Sequence, residues 1–461
     1  MKHRANKLFI GLRHRFYANI ILCIFAFLMV LPKPLNAAGL IRDAETETLI
    51  RAYSNPIFSA ANLSAQNIRI HIIGSRSFNA FVVDGQNMFI HVGALMQSKT
   101  PNELIGIIAH ETGHIAGGHL AGLRRQIARN QGTALVCQVL GILATTAAVA
   151  SGSGGNVGSA GIAALSGCGS VIQRSILAYR RAHESAADQA ALAYLNATGQ
   201  SSKGMIETFE YLADQGLASL KYVDPYIQSH PMPRQRIAQL RYLAEQSSHY
   251  DKLDSPELQL RHDMMRAKII GYMNRPQIVF NKFKQTDTSY PAQYARAIAN
   301  YRAGNLKEAL RGMDRLIAAM PQNAYLYEIK GQFLFEKGFA KEGIPLIRKA
   351  LRLTPNEHLM RILLSQALLS ANAKKHADEV IVQLKKALVF EKSSVTGYRL
   401  LARAYGEKGM VAQARLASAH RYLFEGKLTD AKAQAQWAIK NFRRGSAAWI
   451  QADDIINFKP R

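Results

Sequence analysis

Cysteine is nearly absent. The three cysteines in 461 residues form no thiolate cluster for a metal, because none lies beside a third cysteine or a histidine at ligand spacing. Cys23 falls in an N-terminal leader, so Cys137 and Cys168 alone belong to the mature chain. An oxidising compartment would permit one disulfide between them, and their apolar neighbours also suit two buried thiols. Acidic residues are scarce too: 32 Asp and Glu face 58 Lys and Arg, a net charge of +26. Such a field favours anionic surfaces such as nucleic acid, phospholipid headgroups or lipopolysaccharide. Spread along the chain, the same charges also serve solubility alone.

The hydrophobic run near the N-terminus is short. It covers Ala18 to Leu31, against a bilayer core of about 30 Å. Lys2, Arg4, Lys7, Arg13 and Arg15 precede it, and Leu35-Asn36-Ala37 follows. The pattern is that of a secretory signal peptide over residues 1–37. The rival is an uncleaved anchor, since Leu35 is not the ideal small residue. Cleavage would remove six Lys and Arg and no acid, leaving about +20. The location expected is outside the cytoplasmic membrane, with peripheral membrane contact open and nucleic acid not expected as a partner.

His110-Glu111-Thr112-Gly113-His114 is what the chain does contain. This H-E-x-x-H run follows Pro101 to Ala109, which reads as helix. Residues four apart on a helix share a face, so both imidazoles can take two corners of a metal tetrahedron. Glu111, beside them, can take a proton from a water that the metal activates. The plain alternative is a chance match on a polar helix. The metzincin extension is absent: Gly117 fits, but Leu120 stands where the third histidine belongs. His119, five residues after His114, falls off the metal-facing side, and His183 points to another face than its neighbour Glu184.

About 424 residues, from 38 to 461, suit two or three domains. We place a mixed domain at 38–255 and an all-helical one at 256–461. In the first, Glu45 to Leu63 reads as helix and Ile68 to Ile73 as a strand. Ala80 to Val83 and Met88 to Val92 read as a hairpin. Residues 133–150 and 160–172 are apolar and flank a Gly/Ser-rich stretch at 151–159. They read first as a buried helix pair, second as a membrane-inserting hairpin, with the glycine-rich tip as a potential lid. In the second half, Gly304 and Gly338 are 34 residues apart, as are Pro321 and Pro355. That is the tetratricopeptide period. Gly331, Gly343 and Ala350 would lie where paired helices cross. Later units drift: Asn372, Ala377 and Ala387 include about three extra residues, and Gly409 and Gly426 open further ones. Such units stack into a solenoid.

A gluzincin needs a third protein ligand, usually a later glutamate. Glu184 and Asp188 are four apart on a helical stretch. Glu184 could bind the metal, and Asp188 could hold the free N–H of a ligating histidine. A surface pair of acids among arginines fits the spacing equally. His230 opens His230-Pro231-Met232-Pro233-Arg234-Gln235-Arg236, a rigid turn into a helix. It could touch the metal or an oxyanion formed there, or serve only as a turn residue.

His110-Glu111-x-x-His114, then Glu184-x-x-x-Asp188, then His230-Pro231 with Arg236, resembles the HtpX-type and CAAX-protease-type zinc metallopeptidases. With an export signal and helical repeats, residues 40–457 resemble the periplasmic branch of that family. The resemblance implies an α+β, mainly α fold: a gluzincin domain with a small sheet, followed by a tetratricopeptide solenoid. It implies one zinc ion on His110, His114 and Glu184, with Glu111 as general base and acid. Asp188 and Arg236 would stand behind the ligands. His230 would lie near the metal, as a fourth ligand that keeps the enzyme off until substrate displaces it. The strand segment Phe81 to His91 would pair with an extended substrate. The activity implied is endopeptidase action on unfolded, misfolded or stalled outer-membrane proteins, with the repeats docking substrate or assembly machinery. The alternatives are a chaperone or adaptor with a latent protease, and a membrane-embedded housekeeping protease.

Overall fold

The computed structural model describes residues 39–129, 157–218 and 225–460. The leader, Cys137 and the first apolar arm at 133–150 lie outside the described residues. A four-stranded sheet runs in the order β1-β2-β4-β3, from β1 (Leu40–Ile41), β2 (Arg69–Ile73), β3 (Ala80–Val83) and β4 (Asn87–His91). β4 is parallel to β2 and antiparallel to β3. The β3–β4 turn works because Asp84 (φ 56°) and Gly85 (φ 68°) both adopt left-handed backbone, which Asp tolerates and Gly favours. Among the described residues β1 and β3 are the edge strands of this sheet. β4 is paired on both sides, so the expected edge segment Phe81 to His91 narrows to Ala80–Val83.

Helix α1 (Ala44–Ala60), α2 (Val92–Gln97) and α3 (Pro101–Ala116) follow the chain order. α3 is the central helix. Thr100 caps it by accepting from Glu103 N, and Pro101 occupies its first turn, where no N–H partner is needed. Leu104, Ile105, Ile107 and Ile108 are all buried against α1, the sheet and α5 (Lys203–Ala218). Between α3 and α5 runs α4 (Val157–Ala197), one continuous helix of 41 residues. The second apolar arm at 160–172 is therefore the start of α4. Among the described residues no helix is long and apolar enough to cross a membrane.

After α6 (Pro225–Ser229) and α7 (Arg234–Ala244), α8 (Pro256–Met273) joins the two halves. Its Met265 and Ile269 enter the core of the first half. Met264 and Ala267 enter the core of the first repeats. His262 adds a buried tether: its Nδ1 lies 3.0 Å from the Tyr53 hydroxyl and its Nε2 3.0 Å from the Ser98 carbonyl. After α9 (Pro276–Lys282), paired helices follow: α10 (Tyr290–Arg302) with α11 (Leu306–Ala319), α12 (Ala324–Glu336) with α13 (Ala340–Leu353), then α14 (His358–Leu388). α15 (Val395–Glu407) pairs with α16 (Val411–Phe424), and α17 (Leu428–Ile439) with α18 (Ala447–Asn457).

The repeat glycines divide into two jobs. Gly304 and Gly338 have φ of 88° and 90° and make the turn within each pair. Gly331 and Gly343 face each other where α12 and α13 cross. A Cβ on Gly343 would meet the Gly331 carbonyl oxygen at 2.6 Å. In the drifting third unit Asn372 takes the turn: its backbone is extended inside α14, and its side chain accepts from Lys375 N at 2.9 Å.

Candidate metal centre

The centre is assembled by two helices and one turn. α3 carries His110, Glu111 and His114, and α4 carries Glu184 and Asp188. The two helices approach closely because the motif contains Gly113. A Cβ there would lie 2.8 Å from the Ala187 carbonyl oxygen and 2.9 Å from Ala187 Cα. Gly113→Val is therefore expected to push α4, and Glu184 with it, off the histidines. Overpacking of this kind costs about 1–3 kcal/mol. Thermal unfolding and metal content measured together should both fall; a normal metal content would refute the account.

His230 follows α6. Its N–H donates to Tyr226 O at 2.7 Å, and Pro231 and Pro233 stiffen the chain after it. Arg180 on α4 donates to Ser229 O at 2.8 Å, fixing the turn from the other side. His110 Nε2 then lies 3.1 Å from His114 Nε2 and 3.4 Å from His230 Nδ1. Glu184 Oε2 is 3.0 Å from His230 Nδ1 and 3.5 Å from His110 Nε2, and Glu184 Oε1 is 3.5 Å from His114 Nε2. All four donor atoms lie within 4.8 Å of one another. Four bonds of about 2.0–2.1 Å to one ion would put neighbouring ligands roughly 3.3 Å apart, close to the 3.0 to 3.5 Å of these five contacts. Three imidazole nitrogens and a carboxylate in a buried pocket fit a divalent transition-metal ion.

Glu111 stands beside this cluster, 1% exposed, with Oε1 3.5 Å from His230 Nε2. Burial raises its carboxyl above the ordinary range, and the positive charge near His230 and His110 opposes that. Burial alone would lower His110, but its contacts with Asp188 and Glu184 reverse the effect and lift it to about 9. Burial, then the His110 charge, drives His114 down to about 2.

Asp188 Oδ1 lies 3.0 Å from His110 Nδ1, the nitrogen facing away from the cluster. Arg236 in turn clasps Asp188 with two bonds, Nε to Oδ2 at 2.6 Å and Nη2 to Oδ1 at 2.8 Å. Its Nη1 reaches Glu184 Oε2 at 3.1 Å and donates to Pro231 O at 2.7 Å. One guanidinium therefore orients both carboxylates of α4 and the His230 turn. For Asp188→Asn we expect metal binding weaker by about 10–100-fold, read by competition with a chromophoric chelator. Unchanged affinity would show that Asp188 does not steer His110.

His110, Glu111, His114, Glu184, Asp188, His230 and Arg236 are thus gathered here, and His119, His183 and Tyr226 lie against them. Gly118 (φ 59°) reverses the chain after α3, so His119 Nδ1 sits 2.9 Å from His114 Nδ1. His119 is outside the four-donor cluster but against the back of one donor. Its ring also packs on His183, with centroids 4.1 Å apart. The Gly117-Gly118 pair was the available signal, because such a pair after a helix marks a left-handed exit. Tyr226 is fully buried and its ring packs on His230 at 4.6 Å. Its hydrogen bond to Glu111 works against the rise that burial imposes on that carboxyl. No local pattern marked Tyr226. A cavity of about 700 Å³ opens over the cluster, lined by Phe81, Val82, Glu111, His114, His183 and His230 among others. The open edge of β3 borders it.

A profile of peptidase family M48 matches residues 43–244. The beta-barrel assembly-enhancing protease of Escherichia coli strain K12 is 25% identical over 429 residues, covering 92% of this chain and 84% of that one. The protein of the same name from Yersinia pestis is 23% identical over 428 residues, covering 91% and 85%. Residues 43–244 thus match peptidase family M48, and the chain is a metallopeptidase whose likeness to these proteases continues through its tetratricopeptide repeats.

Proposed function

We propose that this chain is an exported, zinc-dependent endopeptidase. It cleaves misfolded or stalled outer-membrane proteins in the periplasm, and its repeats dock substrate or the assembly machinery. The convergence of His110, His114, Glu184 and His230 beside Glu111 is the observation that carries this reading. The names of the relatives, which concern β-barrel assembly, support the substrate class. Residues 38–255 would be the peptidase domain and 256–461 the repeat domain, with residues 1–37 a signal peptide.

His110, His114 and Glu184 would hold one zinc ion. Bound there, zinc would supply Lewis acidity toward water and the scissile carbonyl. Glu111 would accept the proton of the attacking water and return it to the leaving amine. Its raised proton affinity suits a group that must hold a proton between those two events. Asp188 and Arg236 would keep His110 and Glu184 in register. The edge of Ala80–Val83 would take the substrate backbone as an added strand, selecting extended chains over folded ones.

His230 would be the fourth donor. A catalytic site keeps one position open, so His230 must yield when substrate enters. That observation also favours a second reading, an assembly chaperone with a latent protease. Metal analysis of the purified mature chain tests the proposal first. About one zinc per chain and casein cleavage that a chelator abolishes are expected; a metal-free chain that still cleaves casein would refute it. In cells, a Glu111→Gln chain that restored outer-membrane integrity would favour the chaperone.

A further inference from the structure

A second cavity, of about 470 Å³, lies away from the metal centre. The segment from Ile41 to Thr46, α8, and the first helices of three successive repeat pairs (α12, α14 and α15) enclose it. Most of its wall is apolar: Ile41, Ile72, Ile269, Tyr272, Ile329 and Leu359 contribute. Arg42, Asp43, Lys268 and Glu328 break that wall. Glu328 is 7% exposed, and its Oε2 has no hydrogen-bond partner among the described residues. An unmatched buried carboxyl is costly, so a group kept in that state points to a ligand that matches it.

The surroundings indicate its charge. Asp43 and Glu45 are already held by Lys268, at 2.5 and 3.3 Å. Glu47 and Glu391 are held by Arg42. Glu328 is left over, in a neighbourhood of carboxylates within a chain of +26. The described residues group metal donors only at the peptidase centre, so a metal ion is not the match. An organic cation is, and an apolar wall beside a carboxylate suits one with a hydrocarbon stem.

We propose that this cavity receives a lysine or arginine side chain of a bound polypeptide, with its stem along the apolar wall and its cationic head on Glu328. The site deepens the reading of the repeats as a docking module and rests on it. It would retain basic, unfolded segments while the sheet edge presents a distant stretch for cleavage. Burial pushes the Glu328 carboxyl up to about 8, with Lys268 opposing and Asp43, Glu45 and Glu357 reinforcing. A cation docking at neutral pH therefore displaces a proton from it. Arg42, Lys268 and Tyr272 also line this space, the two cations already engaged by Glu47, Glu391, Asp43 and Glu45.

The test uses the full mature chain carrying Glu111→Gln, so that the probe is not cut. A fluorescein-labelled ten-residue peptide of serine and leucine carries one central arginine; its twin carries citrulline, of the same shape without the charge. By anisotropy, the arginine peptide should bind at least about tenfold more tightly than its twin. Added Glu328→Gln should bring it down to the level of the twin. Calorimetry in two buffers of different ionisation heat should report proton release for the arginine peptide alone. Equal affinity for the two peptides overturns the site, and that comparison needs no change at Glu328. If casein cleavage by the unsubstituted chain survives such a result, the peptidase reading stands without this site. Loss of metal-dependent cleavage would sink that reading separately.

Discussion

Glu111→Gln should reduce peptide-bond cleavage by about 10²–10⁴-fold while leaving metal content unchanged. The size follows from removing a general base and acid, which typically contributes that much. The intact metal content follows from geometry. The cluster donors are His110, His114, Glu184 and His230, and Glu111 is not among them. Glutamine keeps the volume of a side chain that is 1% exposed, so the packing of α3 should persist. Casein cleavage and metal analysis on the same preparation check both halves. Substantial residual cleavage would transfer the proton to another group, and His230, 3.5 Å from Glu111, would be the first to test.

Lys268→Met should lower stability by about 3–5 kcal/mol, the usual result of removing one partner from a buried ion pair. Lys268 is 3% exposed, and its ammonium faces Asp43 and Glu45 at 2.5 and 3.3 Å. Burial alone would lower its proton affinity, yet the facing carboxylates hold it well above the ordinary lysine range. Without the ammonium, two acids are stranded at the join of the two halves. Asp43 also caps α1, accepting from Thr46 N at 2.8 Å, and Tyr294 donates to Glu45 at 3.1 Å. Denaturant unfolding should show the loss. Adding Asp43→Asn and Glu45→Gln to Lys268→Met should recover much of it, because the stranded charges then disappear. A triple variant no more stable than the single one would mean that the methylene stem, not the charge, matters.

The metal centre was legible because its parts repeat at helical intervals. His110 and His114, and Glu184 and Asp188, each lie four apart, and each pair falls on one face of its helix. The start of α3 was legible from Pro101, which suits a first turn. What the chain did not announce was the approach of α3 to α4, which depends on Gly113 meeting Ala187. Nor did it announce the roles of Tyr226 and His119, set by packing between distant segments. The 41-residue span of α4 was hidden by glycines at 161, 167 and 169. Glycine weakens a helix without ending it, and no proline lies between 157 and 197. Lys268 was obscured in another way. Among 58 basic residues it looks like one more solvated charge, and only the three-dimensional fold buries it. In the repeats, the 34-residue spacing identified the first units, whereas the Asn372 turn hid the third behind inserted residues.

The two-faced packing of α8 bears on how such enzymes can be rebuilt. A chimaera that exchanges one half for that of a relative must cut near this helix. A cut on its N-terminal side strips Met265 and Ile269 from the peptidase partner; a cut on its C-terminal side strips Met264 and Ala267 from the solenoid. Either way a greasy socket faces water. Lineages that diversify their solenoids would therefore be expected to drift by point substitution more readily than by shuffling whole modules.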